Sequence, residues 1–211
     1  MNLSTLLVVG ANLLLSAPFP TEVKTAASLE GFAPALWRIE QTLNKDLDGD
    51  AIDDAAVVLI EAAAPRNRAL LVLLKRQNTW ALVASSRDLL QCGDCAGAKG
   101  GDGAPTMALD ERVLTITQTF GSRPYGSSTH RFRLDKSRHR LELIGLDTTS
   151  GDSLVGTSSK ISTNLLTGVT RSQIVSCAAP CDEAKPRLEM KRSTTRKKVA
   201  PLLTLEQVKG N

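Results

Sequence analysis

Aromatic residues are scarce in this 211-residue chain, at 3% of the sequence, and histidine occurs only twice. A core in a chain of this length must therefore be built mainly from Leu, Val, Ile and Ala. The length fits one domain, or one domain with a tail. The formal charge is only +4, which does not by itself indicate nucleic-acid binding, and we expect no nucleic-acid partner.

Common catalytic motifs are also missing. The sequence has no Gly-x-Ser-x-Gly elbow and no His-Glu-x-x-His motif, and the glycines around Lys99 lack the Gly-Lys-Ser/Thr ending of a phosphate loop. His130 and His139 lie among arginines in a predicted hairpin, where alternation places both on a polar, solvated face. We therefore predict a protein that is not an enzyme, with no catalytic residues.

Charged residues are absent from the first 17 residues, whose centre is a run of Leu, Val and Ala. This length suits the apolar region of a secretory signal and is short for a membrane-spanning helix. We predict a signal peptide over 1–17 and a periplasmic or secreted mature chain, with a buried N-terminal helix as the alternative. No other segment could span a bilayer, so we expect no transmembrane span in the mature chain.

The four cysteines form two close pairs, Cys92 with Cys95 and Cys177 with Cys181. An even number of cysteines in an exported chain favours disulfides, although four cysteines allow three connectivities and the sequence alone does not choose among them. Because each pair is separated by only two or three residues, our expectation is local pairing. Zinc ligation by both pairs and a thioredoxin-like redox role for the first pair are the alternatives.

Helical periodicity is almost absent after residue 50, and turn-forming residues separate short apolar or alternating segments. Two nearly continuous apolar runs, 55–62 and 69–75, predict central strands that are covered on both faces. The successive hairpins predict a mainly β fold, an antiparallel meander arranged as a curled sheet, a barrel or a sandwich. Apolar residues three or four apart predict a short N-terminal helix over 35–43. The further predicted strands are 80–84, 106–109, 112–119, 129–134, 138–146, 155–166 and 169–175.

An acidic segment, 46–54, precedes the first of these apolar runs and contains five aspartates in nine residues. Such carboxylates repel one another unless a positive charge lies among them, and their alternate spacing directs several at one point. Ca²⁺, which prefers oxygen ligands, is the cation that this pattern favours. The predicted calcium ligands are the side chains of Asp46, Asp48, Asp50 and Asp54 and the backbone carbonyl of Ile52.

The segment is not an EF-hand, because the sixth position is Ala51 rather than Gly and the twelfth is Val57 rather than Glu. The sixth position of such a loop takes a positive φ, which costs a residue other than glycine about 1 kcal/mol. A solvated acidic turn without an ion is therefore the alternative. In both cases the role predicted for the segment is structural.

The last part of the chain is basic, since residues 185–198 include seven Lys or Arg and one Glu. Lysines on edge strands discourage edge-to-edge pairing, so a solvated face is the favoured interpretation, and a nuclear-import or nucleic-acid arm is the alternative. Apolar residues return at 202–208 and predict that this end docks on the body. The predicted organisation is a signal peptide (1–17), a β-rich domain (18–184) and a basic C-terminal section (185–211).

Residues 46–60 resemble the Asp-x-Asn/Asp-Gly-Asp calcium loops that precede a strand in FG-GAP-type repeats of integrin-like propellers. Only one copy is present, so a propeller is not implied. With six further motifs, the chain resembles a family of exported bacterial β-rich proteins with no assigned activity. That resemblance implies a secreted or periplasmic β-rich domain. The further motifs are CGDCAG (92–97), GSR (121–123), RFR (131–133), LIGLD (143–147), STNLLTG (162–168) and the closing segment 202–208.

These features together predict an exported, non-enzymatic binding or structural domain that is stabilised by calcium and disulfides. Its expected partner is a protein or another envelope component. The alternative is a periplasmic immunity or inhibitor protein that blocks a secreted or envelope enzyme through an exposed β-face. An envelope hydrolase with an unrecognised site is a third class.

Overall fold

The computed structural model of the chain describes residues 23–63, 66–178 and 187–210. Most of these residues form two antiparallel β-sheets, so the predicted mainly β class is confirmed. The described strands divide between the two sheets and do not close into a barrel. The predicted signal peptide, 1–17, lies outside the described residues.

The first sheet has five strands in the order β1-β5-β4-β3-β2. Its two central strands, β3 and β4, are buried along nearly their whole length, as their continuous apolar sequences predict. The strands are β1 (Thr25–Ala26), β2 (Trp37–Lys45), β3 (Asp54–Glu61), β4 (Arg68–Arg76) and β5 (Thr79–Ser86).

The second sheet has seven strands, and its spatial order from β6 to β12 is also the order along the chain. Each strand pairs antiparallel with the next, which is the predicted meander. A four-residue helix, α1 (Gly97–Gly100), precedes the sheet. The strands are β6 (Thr106–Asp110), β7 (Val113–Gly121), β8 (Tyr125–Asp135), β9 (Arg140–Asp152), β10 (Thr157–Asn164), β11 (Val169–Cys177) and β12 (Leu188–Arg196).

The two sheets pack against each other around one apolar core. Leu70 and Val72 of the first sheet and Ile116 and Phe132 of the second are fully buried there. Leu205, in a short 3₁₀-helix (Leu205–Gln207), and Val208 are buried in the same core. The end of the described chain therefore fills part of the space between the sheets.

The outer face of the first sheet carries a second apolar cluster, because β3 and β4 are apolar on both faces. Residues 23–37 cover this face, and Phe32, in a 3₁₀-helix (Glu30–Phe32), is completely buried there. Burial of an aromatic side chain of this size contributes about 2 kcal/mol or more to stability. The segment before β2 is therefore an integral layer of the fold.

The helix predicted over 35–43 is wrong, because Trp37–Lys45 forms the edge strand β2, antiparallel to β3. A β-bulge between Ile39 and Gln41 explains the misleading pattern. The extra residue reverses the alternation, so Ile39 packs in the outer cluster whereas Leu43 packs in the core between the sheets. Four-residue spacing here marks two faces of a bulged strand and not one face of a helix.

The last three strands of the second sheet extend beyond the core. No residue of β10, β11 or β12 is buried, and every residue of β12 is exposed. Among the described strands, β12 pairs only with β11, so its other edge is open. After β12 the chain returns towards the core, where the Leu143 amide donates to the Leu203 carbonyl.

Candidate metal centre

The acidic segment is the loop of a β-hairpin. The antiparallel pairing of β2 with β3 ends at Lys45 and Asp54, and residues 46–53 connect the two strands. The loop is therefore entered from a strand rather than from the predicted helix. Pairing on both sides anchors the loop ends at one edge of the first sheet.

The loop brings together the carboxylates of Asp46, Asp48 and Asp50, whose ligand atoms all lie within 4.8 Å of one another. Oxygens that share one Ca²⁺ at 2.3–2.6 Å lie at most about 5 Å apart, so this spacing is compatible with a common ion. Asp48 is buried, Asp46 is half-buried and Asp50 is exposed. The three side chains therefore extend from the protein interior to the solvent.

Backbone amides of the loop orient these carboxylates. Asp46 accepts hydrogen bonds from the amides of Gly49 and Ala51, and Asp48 accepts one from Asp50 at 3.1 Å. Partial desolvation raises the pKa of Asp46, but these amides and the charge of Arg112 outweigh it, so the pKa lies below its usual value. The carboxylate of Asp46 is therefore held in its ionised form.

Asp54, also a predicted ligand, has another role in the structure. It is 1% exposed and accepts backbone hydrogen bonds from Leu47 at 2.9 Å, Asp48 at 3.2 Å and Lys75 at 3.0 Å. Burial raises the pKa of Asp54, although the three amides oppose this. Asp54 thus joins the loop to β4, and the group of three close carboxylates does not include it.

The predicted carbonyl ligand, Ile52, lies in the same loop. Its amide donates to Asp50 Oδ1 at 2.8 Å, and its side chain is 44% exposed. Its neighbour Ala51 has a φ of +67°, as predicted for the sixth position. The loop therefore tolerates the conformational cost that the sequence implies at this residue.

Arg76, at the end of β4, supplies a positive charge that the sequence pattern of the loop does not predict. Its Nη2 lies 2.5 Å from Asp48 Oδ2 and its Nη1 lies 3.2 Å from Asp50 Oδ2. The guanidinium therefore bridges two of the three carboxylates and reduces their repulsion. The pairing of β3 with β4 could have predicted this contact. The hairpin places Lys75 beside Asp54, so the next residue, Arg76, lies next to the loop.

Arg112 approaches the loop from the turn between β6 and β7. Gly49 has a φ of +81°, and a Cβ atom at this position would overlap the Arg112 guanidinium. Glycine is favoured here by the positive φ, and a larger residue would also displace the Arg112 guanidinium. Two arginines from distant parts of the sequence thus stand beside three carboxylates.

The first cysteine pair is confirmed as a local disulfide, Cys92–Cys95, with a Cα–Cα distance of 5.2 Å. In this pairing neither sulfur is a thiolate that could ligate zinc. No cysteine in the described part of the chain is free. Cys181, the predicted partner of Cys177, lies outside the described residues.

The prediction of a solvated face is wrong for His130, which is 4% exposed. In β8 the residues facing the core are the even-numbered ones, so His130 points inwards with Ser128 and Phe132. Burial lowers the pKa of His130. Its Nδ1 and the Ser128 hydroxyl have no hydrogen-bond partner, so the two side chains do not form a nucleophile–base pair. His139 is exposed, as expected.

Comparison with protein-family models, with characterised proteins and with solved structures finds no match for this chain. The resemblance to FG-GAP-type calcium loops therefore stays a prediction. Among the described residues, no helix combines the length and the apolar character needed to cross a membrane.

Proposed function

We propose that this chain is an exported, non-enzymatic structural or binding domain that is stabilised by Ca²⁺ at the β2–β3 loop. The observation that carries the proposal is the convergence of Asp46, Asp48 and Asp50 within 4.8 Å of one another. Carboxylate oxygens at this spacing are the ligands that Ca²⁺ prefers. The Ile52 carbonyl and water would complete the set of ligands, and Asp54 would hold the loop in place through its backbone hydrogen bonds.

The position of the loop supports a structural role for the ion. β3, which is buried along nearly its whole length, follows the loop, and β2, the bulged edge strand, precedes it. An ion between them would fix the end of the hairpin and oppose fraying of the edge strand. Ca²⁺ and the Arg76 guanidinium compete for oxygens of Asp48 and Asp50, so calcium affinity is expected to be moderate.

Thermal unfolding in calcium and in chelator tests the proposal. A ligand that binds only the folded state adds about 2.7 kcal/mol of stability at 100 times its Kd. For a chain of this size, that corresponds to a rise in Tm of roughly 5–10 °C. Asp48→Asn combined with Asp50→Asn should abolish the rise.

Asp88→Asn combined with Asp110→Asn is the matched control, because both of these aspartates are exposed and lie outside the loop. This control protein should respond to calcium as the wild type does. If the wild-type melting curve is the same in calcium and in chelator, the loop is a solvated turn held by arginines and the calcium proposal fails.

Cell fractionation tests the proposed export. The signal peptide predicted over 1–17 should be removed, and the shortened protein should be found in the periplasm or the medium. The uncleaved protein in the cytosol would contradict export.

A further inference from the structure

Residues 157–178 and 187–198, which contain strands β10, β11 and β12 and are named here the basic sheet extension, carry a large excess of positive over negative charge. Residues 157–178 and 187–198 contain eight Lys or Arg and one Glu, a formal charge of +7. The whole chain has a formal charge of +4, so the remainder is net negative at −3. The charge of this protein is therefore strongly asymmetric.

The strand register places four of these cations on one face. In an antiparallel sheet, residues directly opposite each other point to the same side, and alternate residues along a strand do so too. Residues that lie opposite one another on β10, β11 and β12 form rows across this face. Successive rows are about 6.8 Å apart along the strands, and neighbouring strands are about 4.8 Å apart. The rows are Lys160–Gln173–Arg192, Ser162–Arg171–Thr194 and Asn164–Val169–Arg196.

Two adjoining grooves on this face contain the four cations. Each has a volume of about 320 Å³, and they share Ser162 and Arg171. No carboxylate lines either groove; the remaining lining is mainly hydroxyl and amide side chains. The nearest acidic partner on the adjoining strand, Asp147, is paired with Arg131 at 2.5 Å.

The cations of the extension also lack the ion pairs found elsewhere. Several arginines of the described chain, such as Arg68, Arg76 and Arg140, contact a carboxylate at 2.5 Å. None of the ion pairs among the described residues includes Lys160, Arg171, Arg192 or Arg196. The face is therefore net positive, although Lys160 lies close enough to Asp147 to help lower the pKa of that carboxyl.

Exposed apolar side chains accompany this charge. Ten large apolar residues are exposed in the described part of the chain, and eight of them lie between Leu154 and Leu203. Two of these, Leu188 and Met190, are 46% and 54% exposed. Their register with Cys177 and Val175 places them on the cationic face, at one end of it. The face thus combines an apolar end with a cationic centre.

An anionic bilayer surface matches this combination better than other polyanions do. Phosphate head groups attract Lys and Arg near a membrane, and apolar side chains enter the boundary between head groups and acyl chains. Single-stranded nucleic acids favour aromatic stacking platforms, and residues 157–178 and 187–198 contain no aromatic residue. A second copy of the chain is disfavoured, because antiparallel pairing of two β12 edges about Arg192 would oppose like charges.

We propose that the basic sheet extension binds the surface of an anionic phospholipid bilayer. Lys160, Arg171, Arg192 and Arg196 contact the head-group phosphates, and Leu188 and Met190 enter the interface. This inference is independent of the calcium loop, which lies in the first sheet. It specifies an envelope membrane as the partner of the proposed exported domain.

Co-sedimentation of the full chain with lipid vesicles tests this inference. Binding to vesicles of phosphatidylglycerol and phosphatidylcholine should be at least about 10-fold tighter than binding to phosphatidylcholine alone, and it should weaken as salt increases. The combined substitutions Lys160→Glu, Arg171→Glu and Arg192→Glu should reduce binding to the anionic vesicles by roughly 100-fold or more. None of these positions is buried, so far-UV circular dichroism and Tm should confirm that the variant folds.

Lys24→Glu, Arg38→Glu and Lys136→Glu form the matched control, since they make the same change in charge at exposed positions outside the extension. This control protein should bind nearly as tightly as the wild type. If it loses as much binding as the first variant, only net charge matters and the proposed face is wrong. Leu188→Ser combined with Met190→Ser should weaken the binding that persists at high salt.

Two further results would overturn the proposal. One is equal binding to neutral and anionic vesicles, and the other is binding to a single-stranded DNA oligonucleotide without binding to vesicles. The calcium-loop variant with Asp48→Asn and Asp50→Asn should still bind anionic vesicles in chelator. The failure of the calcium proposal and the failure of the membrane proposal can therefore be distinguished.

Discussion

Arg76 bridges from the end of β4 to Asp48 in the β2–β3 loop, with Nη2 2.5 Å from Oδ2. The same guanidinium lies 3.2 Å from Asp50. The sequence of this loop predicts a bound metal cation. The structure shows that the protein also supplies a cation of its own, the Arg76 guanidinium. The relation between the arginine and the ion is competitive, and it can be measured.

Replacing Arg76 with Gln should have opposite effects in chelator and in calcium. Without calcium, the loss of a partly exposed ion pair should reduce the free energy of unfolding by about 0.5–1 kcal/mol. With calcium, the vacated carboxylate oxygens should bind the ion more tightly. Calorimetric titration with calcium should therefore show a lower Kd for the variant. An unchanged Kd would show that Arg76 and calcium do not compete.

Asp54→Ala should reduce the free energy of unfolding much more than Asp53→Ala does. It removes the acceptor for the amides of Leu47, Asp48 and Lys75, and groups without a partner each cost about 1–3 kcal/mol when buried. We expect a total loss of about 3 kcal/mol in urea unfolding. Asp53→Ala, at an exposed residue, should change stability by less than about 0.5 kcal/mol. Similar losses for both variants would contradict this role for Asp54.

The stability of the protein should fall as the pH decreases through the range of histidine titration. Burial lowers the pKa of His130 below its usual 6.5. Below pH 6.5, His130 is therefore protonated to a greater extent in the unfolded chain than in the folded chain, which favours unfolding. The contribution of His130 is therefore lost as the pH falls, by up to about 1.4 kcal/mol per pH unit. His130→Gln should show a shallower decrease between pH 7 and pH 5 in denaturant unfolding. Ser128→Ala is the control, because it changes a neighbouring buried side chain that carries no titratable group, and it should retain the wild-type slope.

Arg68 and Glu40 form a buried ion pair that joins β4 to β2. Arg68 is 1% exposed, and its Nε and Nη2 lie 2.5 and 2.7 Å from the Glu40 carboxylate. Removing one partner leaves an uncompensated buried charge, so Glu40→Gln should cost about 3–5 kcal/mol in urea unfolding. Glu40→Leu combined with Arg68→Met should cost less than the single change. A double variant that is less stable than Glu40→Gln would refute this account.

The central strands could be predicted from the sequence because strands that are buried on both faces consist almost entirely of apolar residues. β3 and β4 are covered on both faces, so nearly every position must be apolar. β2 could not be predicted in the same way. Its bulge between Ile39 and Gln41 changes which face each later residue occupies, and the resulting spacing imitates a helix.

The candidate site was only partly predictable for a related reason. The sequence places Asp46, Asp48 and Asp50 in one short loop, and local spacing is enough to predict that they converge. Arg76 and Arg112 reach the loop through the pairing of other strands, which short-range patterns do not encode. His130 was assigned to the wrong face because alternation gives a period of two but does not say which set of residues faces the core.

The burial of Leu205 and Val208 between the two sheets also constrains when the chain can fold. These residues follow β3 by more than 140 positions, and they fill core space against β5 and β9. During synthesis, the two sheets therefore lack part of their shared interior until residue 208 has left the ribosome. Full packing of the two sheets against each other is therefore a late event in the folding of a newly made chain.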